Sequence, residues 1–459
     1  MTSELARAAL VTLLFLAVFG MAEAWRRLGD PPVEWTRKLV HFGGGLIAAT
    51  FPWIFESRWV VLVLTGTMLA LLWLTRRVGV LGSIHGVARR SSGELYYPIA
   101  VCLIYLIGRD RPVFYLIAVL ALVVSDALAA VLGATYGRTI YDVERDRRSI
   151  EGSTVFFLST FLVAHLPLLL LARIEPAASV LIALQISLIV SLFEGISLEG
   201  SDNLLVPLIT YYLLIKMTPR SAAFIGEQLV AQLLIILIVA LIAWRFRFIR
   251  ASGAMAAALF FYGAYALGGP EWTVAPGIAL LGVLSVRAYL RHVGREPKAE
   301  YQVLAMFYVS IVAVLLYALN NSFETLWQVP GALRLGDPLY APFVGVVAAQ
   351  LALMLGNQVE PFRRADGSPR QTGTEAALAV VAFLLVAPVG LMLAGEGLSA
   401  WTLLVAAAIH AGGSALYWIG RRAEWWPSEP PWNVRLQAAA VALAAVLVVP
   451  VHLHHLGAW

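Results

Sequence analysis

A chain of 459 residues that is 60% hydrophobic and only 13% charged departs from the soluble average of about 45–50% apolar and about 25% charged, in the direction of the membrane. With a mean hydropathy of +0.80 and a dozen or more apolar runs of roughly 17–25 residues, the length that crosses about 30 Å of hydrocarbon, a soluble enzyme, a disordered protein and a secreted disulfide scaffold are excluded. The net charge of +5 suits anionic lipid surfaces and gives no reason to expect nucleic-acid binding.

The expected fold is all-α, a polytopic integral membrane protein of about 16 transmembrane helices with no large soluble domain. Met1–Trp25 lacks a basic leader region and a convincing cleavage site, so it reads as the first span. Spans then centre on 9–25, 38–55, 59–74, 97–108, 112–135, 153–172, 177–196, 204–217 and 227–247. Seven more follow near 253–269, 273–290, 302–319, 339–356, 374–394, 400–418 and 434–452. The segments 97–108 and 204–217 are too short to cross upright, and short or broken spans line cavities. The single cysteine, Cys102, lies in the first of these and has no partner for a disulfide or a thiolate pair. With Met1 outside, the inner loops of the first half carry roughly twice as many Lys and Arg as the outer ones, which puts them on the cytoplasmic side. The inner loop 197–203 carries no Lys or Arg.

The polar residues of the first half gather in a few segments. Arg37-Lys38-x-x-His41 precedes Gly43, Gly44 and Gly45; Lys38 and His41 share a helical face, and His41 lies one turn inside the span. Asp126 lies within the apolar segment 112–135, where an ionisable group reads as functional or as an Asp–Arg lock between helices. Ala130, Gly133 and Gly137 follow it on one face, suited to close helix packing or to approach of a phosphate to the backbone. Arg147, Arg148, Ser149, Glu151, Gly152 and Ser153 open the next span. A helix start and two arginines favour phosphate, and Glu151 beside them calls for a divalent cation. The same residues also fit a capped helix with a basic flank. Glu194, Glu199, Asp202 and Asn203 form an acidic cluster opening the short span broken by Pro207. Carboxylates facing arginine-rich loops point to a metal–nucleotide site at the inner mouth.

In order, R-K-x-x-H at 37–41, R-R-S-S-G-E-L-Y-Y-P at 89–98, D-x-x-A-x-x-x-G-x-x-x-G from Asp126, R-R-S-I-E-G-S at 147–153 and E-x(7)-D-N-L-x-V-P-L from Glu194 resemble the CTP-dependent polyprenol kinases. That family includes phytol and dolichol kinases and is distantly related to phosphatidate cytidylyltransferase; the resemblance covers roughly residues 30–250. It implies a polyprenol-kinase-like catalytic domain at 1–250. It also implies phosphoryl transfer from CTP, with Mg²⁺, to the hydroxyl of an isoprenoid alcohol dissolved in the bilayer. Carried over, Asp126, Gly133, Gly137, Arg148, Ser149, Glu151 and Gly152 form the CTP–metal region, and Glu194, Asp202 and Asn203 complete it. Family members often have Lys where this chain has Arg148. In the second half, Ala251–Ala254, E-Y-Q-V-L-A-M-F at 300–307 and R-Q-T-G-T-E-A-A-L-A at 370–379 resemble the family of phytyl-phosphate kinase. Met306, Phe307 and Gln350 stand where that family carries Asn-Gly and an intramembrane carboxylate. Residues 251–459 therefore read as a second, degenerate membrane domain.

The resulting expectation is a kinase in a bacterial or archaeal cell membrane with its catalytic loops cytoplasmic, surrounded by membrane lipids and free to form an oligomer. Metal ligands come from Asp126, Glu151, Glu194 and Asp202. Nucleotide contacts come from Lys38, Gly133, Gly137, Arg147, Arg148, Ser149, Gly152, Ser153 and Asn203. The proton acceptor is Asp202 or Asp126, with His41 in reserve and Glu151 also among the catalytic candidates. The rival readings are a cytidylyltransferase, which would release pyrophosphate, and a transporter, whose halves would be expected to repeat each other's broken helices.

Overall fold

The computed structural model describes residues 2–79, 92–144, 146–247, 249–295, 302–326, 337–359, 369–393, 399–423, 425 and 432–457. Arg89, Arg90 and Ser91, and Glu300 and Tyr301 of the second-half likeness, lie outside them. Two compact units divide the chain, Met1–Leu233 and Leu234–Trp459.

In the first unit the helices are α1 (Thr2–Gly29), α2 (Val33–Ala49), α3 (Arg58–Val78), α4 (Gly93–Gly108), α5 (Pro112–Tyr136), α6 (Ile150–Leu170), α7 (Pro176–Ile196) and α8 (Asp202–Met217). The boundary with the second unit falls inside α9 (Ala222–Phe246). Local chemistry sets the ends. Pro112 and Pro176 stand in the first turns of α5 and α7, where a missing N–H removes nothing. Glu175 caps α7 by accepting the N–H groups of Ala177 and Ala178, and those two bonds hold its carboxyl below the usual range. The segment read as one span over 38–55 is broken: α2 ends at Ala49, and a single turn, Phe51–Ile54, carries Pro52 in its first turn, which has no N–H to continue the ladder.

The second unit continues with α10 (Ala251–Gly268), α11 (Val274–His292), α12 (Val303–Leu326), α13 (Tyr340–Val359), α14 (Pro369–Leu393), α15 (Ala400–Arg422) and α16 (Trp432–His455). Its core is built around α13, whose apolar window is 89% buried; Gly345 on that helix permits close approach to α15, since a Cβ there would lie 2.6 Å from the Ala406 carbonyl oxygen. Gln350 is buried on α13.

Among the described residues, 13 helices are long and apolar enough to cross a membrane. The three shorter ones are α2, α4 and α8, at 17, 16 and 16 residues. The protein is thus a polytopic membrane protein built almost wholly of helices. One element was not legible in the sequence: the charged stretch after α5 is an antiparallel hairpin, β1 (Ile140–Val143) with β2 (Asp146–Ser149), pairing Tyr141 with Arg148.

Candidate functional site

The first unit encloses a cavity of about 680 Å³. Part of its wall is polar, formed by Lys38, Asp126, Arg147, Arg148, Glu194 and Asp202, and part is apolar, formed by Phe15 and Phe19 of α1, Val40 of α2, Met68 and Leu72 of α3 and Val101 of α4. Hydrophobic pockets with a few convergent polar groups are the usual form of a small-molecule site.

Close helix packing builds the polar part. A Cβ on Gly45 would lie 2.1 Å from Val123 Cγ2, and one on Gly44 would lie 3.2 Å from Phe15. The glycine run therefore seats α2 tightly against α5 and α1. This brings Lys38 and His41, one turn apart on α2, to Asp126 on α5. Lys38 Nζ donates to Asp126 Oδ2 in an ion pair and lies 3.4 Å from the Asp126 carbonyl oxygen. His41 Nε2 lies 3.7 Å from the same carboxylate oxygen. The Tyr97 ring of α4 tilts against His41 with centroids 4.7 Å apart.

The second polar group hangs on Arg148, at the end of the hairpin. Its guanidinium forms an ion pair with Glu194, donates to Ser197 Oγ at 2.7 Å and lies 3.9 Å from Asp202 Oδ2. Arg147, the neighbouring strand residue, is largely exposed and lies 3.8 Å from Asp142. Ser149 caps α6 by accepting the Gly152 N–H at 3.1 Å, and Tyr141 Oη and Ser153 Oγ are 2.8 Å apart. A Cβ on Gly133 would lie 3.1 Å from Gly152 Cα, so these glycines join α5 to the start of α6. Of the two roles open to the Gly133–Gly137 face, close packing is the one the contacts display.

Three helix N-termini line the cavity: Ser149, Gly152 and Ser153 of α6, Gly93 and Glu94 of α4, and Asp202 and Asn203 of α8. Asn203 Nδ2 donates to the Gly93 carbonyl at 3.0 Å and the Ser92 N–H donates to the Glu199 carbonyl at 2.9 Å. The two short helices therefore start side by side. Such N-termini present unpaired N–H groups and the positive end of the helix dipole, which favour phosphate.

Twelve of the expected site residues line this cavity: Lys38, His41, Asp126, Gly133, Arg147, Arg148, Ser149, Gly152, Ser153, Glu194, Asp202 and Asn203. Glu151 and Gly137 do not. The Glu151 carboxylate accepts the Thr139 N–H at 3.1 Å, bracing the turn before the hairpin. Gly137 closes the α5 end, where a Cβ would lie 2.7 Å from Ser149 Cβ. Among the described residues no three His, Cys, Asp or Glu side chains converge as a metal cage. Glu194 and Asp202 around one guanidinium are instead the kind of oxygen pair that holds a hard cation only together with phosphate oxygens and water. Tyr97 and Ser197 line the cavity without having been expected there. For Tyr97 the available signal was a tyrosine before Pro98 inside a short span; for Ser197 no sequence signal existed.

The chain is 32% identical over 194 residues to the phytol kinase of Synechocystis sp., a match covering 42% of this chain and 83% of that protein. Over 106 residues it is 33% identical to the dolichol kinase of Schizosaccharomyces pombe, covering 23% of this chain and 20% of that protein. No family model matches, and no solved structure matches.

Proposed function

Because the chain belongs to the polyprenol kinase family, and so is a lipid kinase acting on isoprenoid alcohols, we propose that it transfers the terminal phosphoryl group of CTP to a prenyl alcohol held in the cavity of its first unit. The observation that carries this is the cavity's mixed wall, in which arginines and helix N-termini share one cavity with apolar side chains of α1, α2 and α3. The polar part suits a nucleoside triphosphate. The apolar part suits a prenyl chain of the phytol or polyprenol class.

Phosphoryl transfer asks a protein for positioning and charge neutralisation more than for covalent chemistry. In this reading Arg148 and the N–H groups opening α6 hold the phosphates. Glu194 and Asp202 are the residues that would hold Mg²⁺, which when bound neutralises charge on phosphate oxygens. Asp126 accepts the hydroxyl proton as the alcohol oxygen bonds to phosphorus and CDP leaves, and Lys38 balances the charge on that carboxylate. This division assigns Asp126 to the proton and Asp202 to the metal because Asp202 shares Arg148 with Glu194 while Asp126 sits with Lys38 and His41. Glu151, turned away from the cavity, braces the hairpin and is not assigned to the metal. In this reading the polar part of the cavity faces the cytoplasm, a placement that the excess of Lys and Arg on one set of loops supports.

The test is a transfer assay on the purified protein in lipid. It uses γ-labelled CTP, Mg²⁺ and a panel of phytol, geranylgeraniol, farnesol and a long polyprenol, with unlabelled ATP as competitor. Label in a prenyl phosphate, undiminished by ATP, supports the reading. Transfer from ATP alone would replace the donor. Movement of α-label into phosphatidate, with pyrophosphate released, would replace the reaction by cytidylyl transfer.

A further inference from the structure

Two residues that line the cavity each bury a polar atom with no hydrogen-bond partner among the described residues: His41 Nε2 and the Tyr97 hydroxyl. Both are enclosed, and their rings tilt against each other at 50°. A buried polar atom left unpaired costs about 1–3 kcal/mol, and most such atoms in native structures are paired. Two of them side by side, on residues of a cavity wall, lack the partner that a bound molecule would supply.

They stand where the wall changes character. On α2, Lys38 lies a turn before His41, and Gly44 and Ala48 follow it. On α4, Glu94 comes before Tyr97, while Pro98 and Val101 follow. A molecule lying across this boundary needs an apolar body and a small polar head that both donates and accepts. An alcohol has one O–H and two lone pairs, a phenol can donate to a lone pair, and a neutral imidazole nitrogen or a carboxylate can take the O–H. A phosphorylated head would instead bring its charge against the Asp126 carboxylate.

We infer that Tyr97 and His41 form the subsite that grips the acceptor's hydroxyl oxygen, Tyr97 donating to it so that the O–H points to Asp126. This rests on the kinase reading of the same cavity. It adds a substrate-binding residue, Tyr97, and a selectivity: the free alcohol is recognised over the hydrocarbon or the phosphorylated product. Tyr97 keeps its own proton throughout and acts by positioning.

The test separates binding from transfer. Equilibrium binding of tritiated phytol to the full-length protein in nanodiscs, without nucleotide, is measured for wild type, Tyr97→Phe and His41→Ala, with phytene as the hydrocarbon competitor. Wild type is expected to prefer phytol to phytene about tenfold, the equivalent of one such hydrogen bond, and each variant to lose that preference with its thermal midpoint unchanged. In the transfer assay the alcohol KM of Tyr97→Phe rises about tenfold while its nucleotide KM stays at the wild-type value. Unchanged phytol preference in either variant overturns the inference, as does a fall in kcat with unchanged alcohol KM. A wild-type protein that binds phytol through Tyr97 but transfers no phosphate overturns the kinase reading and leaves the subsite standing.

Discussion

Lys38 and Asp126, 88 residues apart in sequence, meet as an ion pair in the polar part of the cavity, their side chains 17% and 19% exposed. A carboxylate this deep in a helix that crosses the membrane needs a cation beside it. His41 Nε2 is a second neighbour of the same carboxylate. Asp126→Asn keeps the shape and removes the proton acceptor. Its kcat should fall about 10²–10⁴-fold, the range for loss of a general base, while circular dichroism and the detergent elution profile stay unchanged. Near-normal turnover in this variant would remove Asp126 from the mechanism.

Arg148 holds together two elements that are distant in sequence, the hairpin and the loop at 197–201. Arg148→Ala would leave Glu194, 8% exposed, with its charge unpaired, which destabilises by about 3–5 kcal/mol for a buried pair. The discriminating variant is Arg148→Lys, which retains a charge for Glu194 and loses the planar fork that also reaches Ser197. We expect its nucleotide KM to rise about tenfold and its alcohol KM to hold. A change confined to the alcohol KM would assign Arg148 to the other substrate.

Glu151 was expected to be a metal ligand, yet its carboxylate bonds the Thr139 backbone outside the cavity. Glu151→Gln should therefore keep transfer within about twofold of wild type, as for other changes away from a site, with no change in the Mg²⁺ dependence of the rate. A tenfold or larger rise in the Mg²⁺ needed for half-maximal rate would return Glu151 to the metal set.

The apolar part of the wall gives a separate handle on the lipid. Met68 borders the cavity and packs beside Phe19 and Leu72. Met68→Trp would fill part of the space a prenyl chain occupies in the proposed reading. The alcohol KM should rise about tenfold, in the range expected of overpacking by 1–3 kcal/mol, with the nucleotide KM unchanged. Equal effects on both substrates would mean that the change disturbs the whole unit.

The class of protein and the approximate number of helices could be read from composition and apolar runs alone. In hydrocarbon every backbone polar group must be satisfied within its own segment, so a run of apolar residues declares a span without reference to any other part of the chain. The same locality made the short helices α4 and α8 readable, and it allowed a capped start to α6. Ordered motifs along the chain also pointed to the polyprenol kinases and to most of the residues that line the cavity.

Which of those residues face one another was decided by packing. Whether a side chain in a helix looks into a cavity depends on how that helix is rotated and how closely its neighbours approach, and both are set by partners tens of residues away. Gly45 against Val123 fixes the first for Lys38 and His41. The β1–β2 hairpin, formed from a stretch that read only as charged, swings Arg148 to Glu194 and leaves Glu151 to the Thr139 turn. The unpaired hydroxyl of Tyr97 belongs to the same class of fact: it is a property of everything around that atom, and no local pattern encodes it.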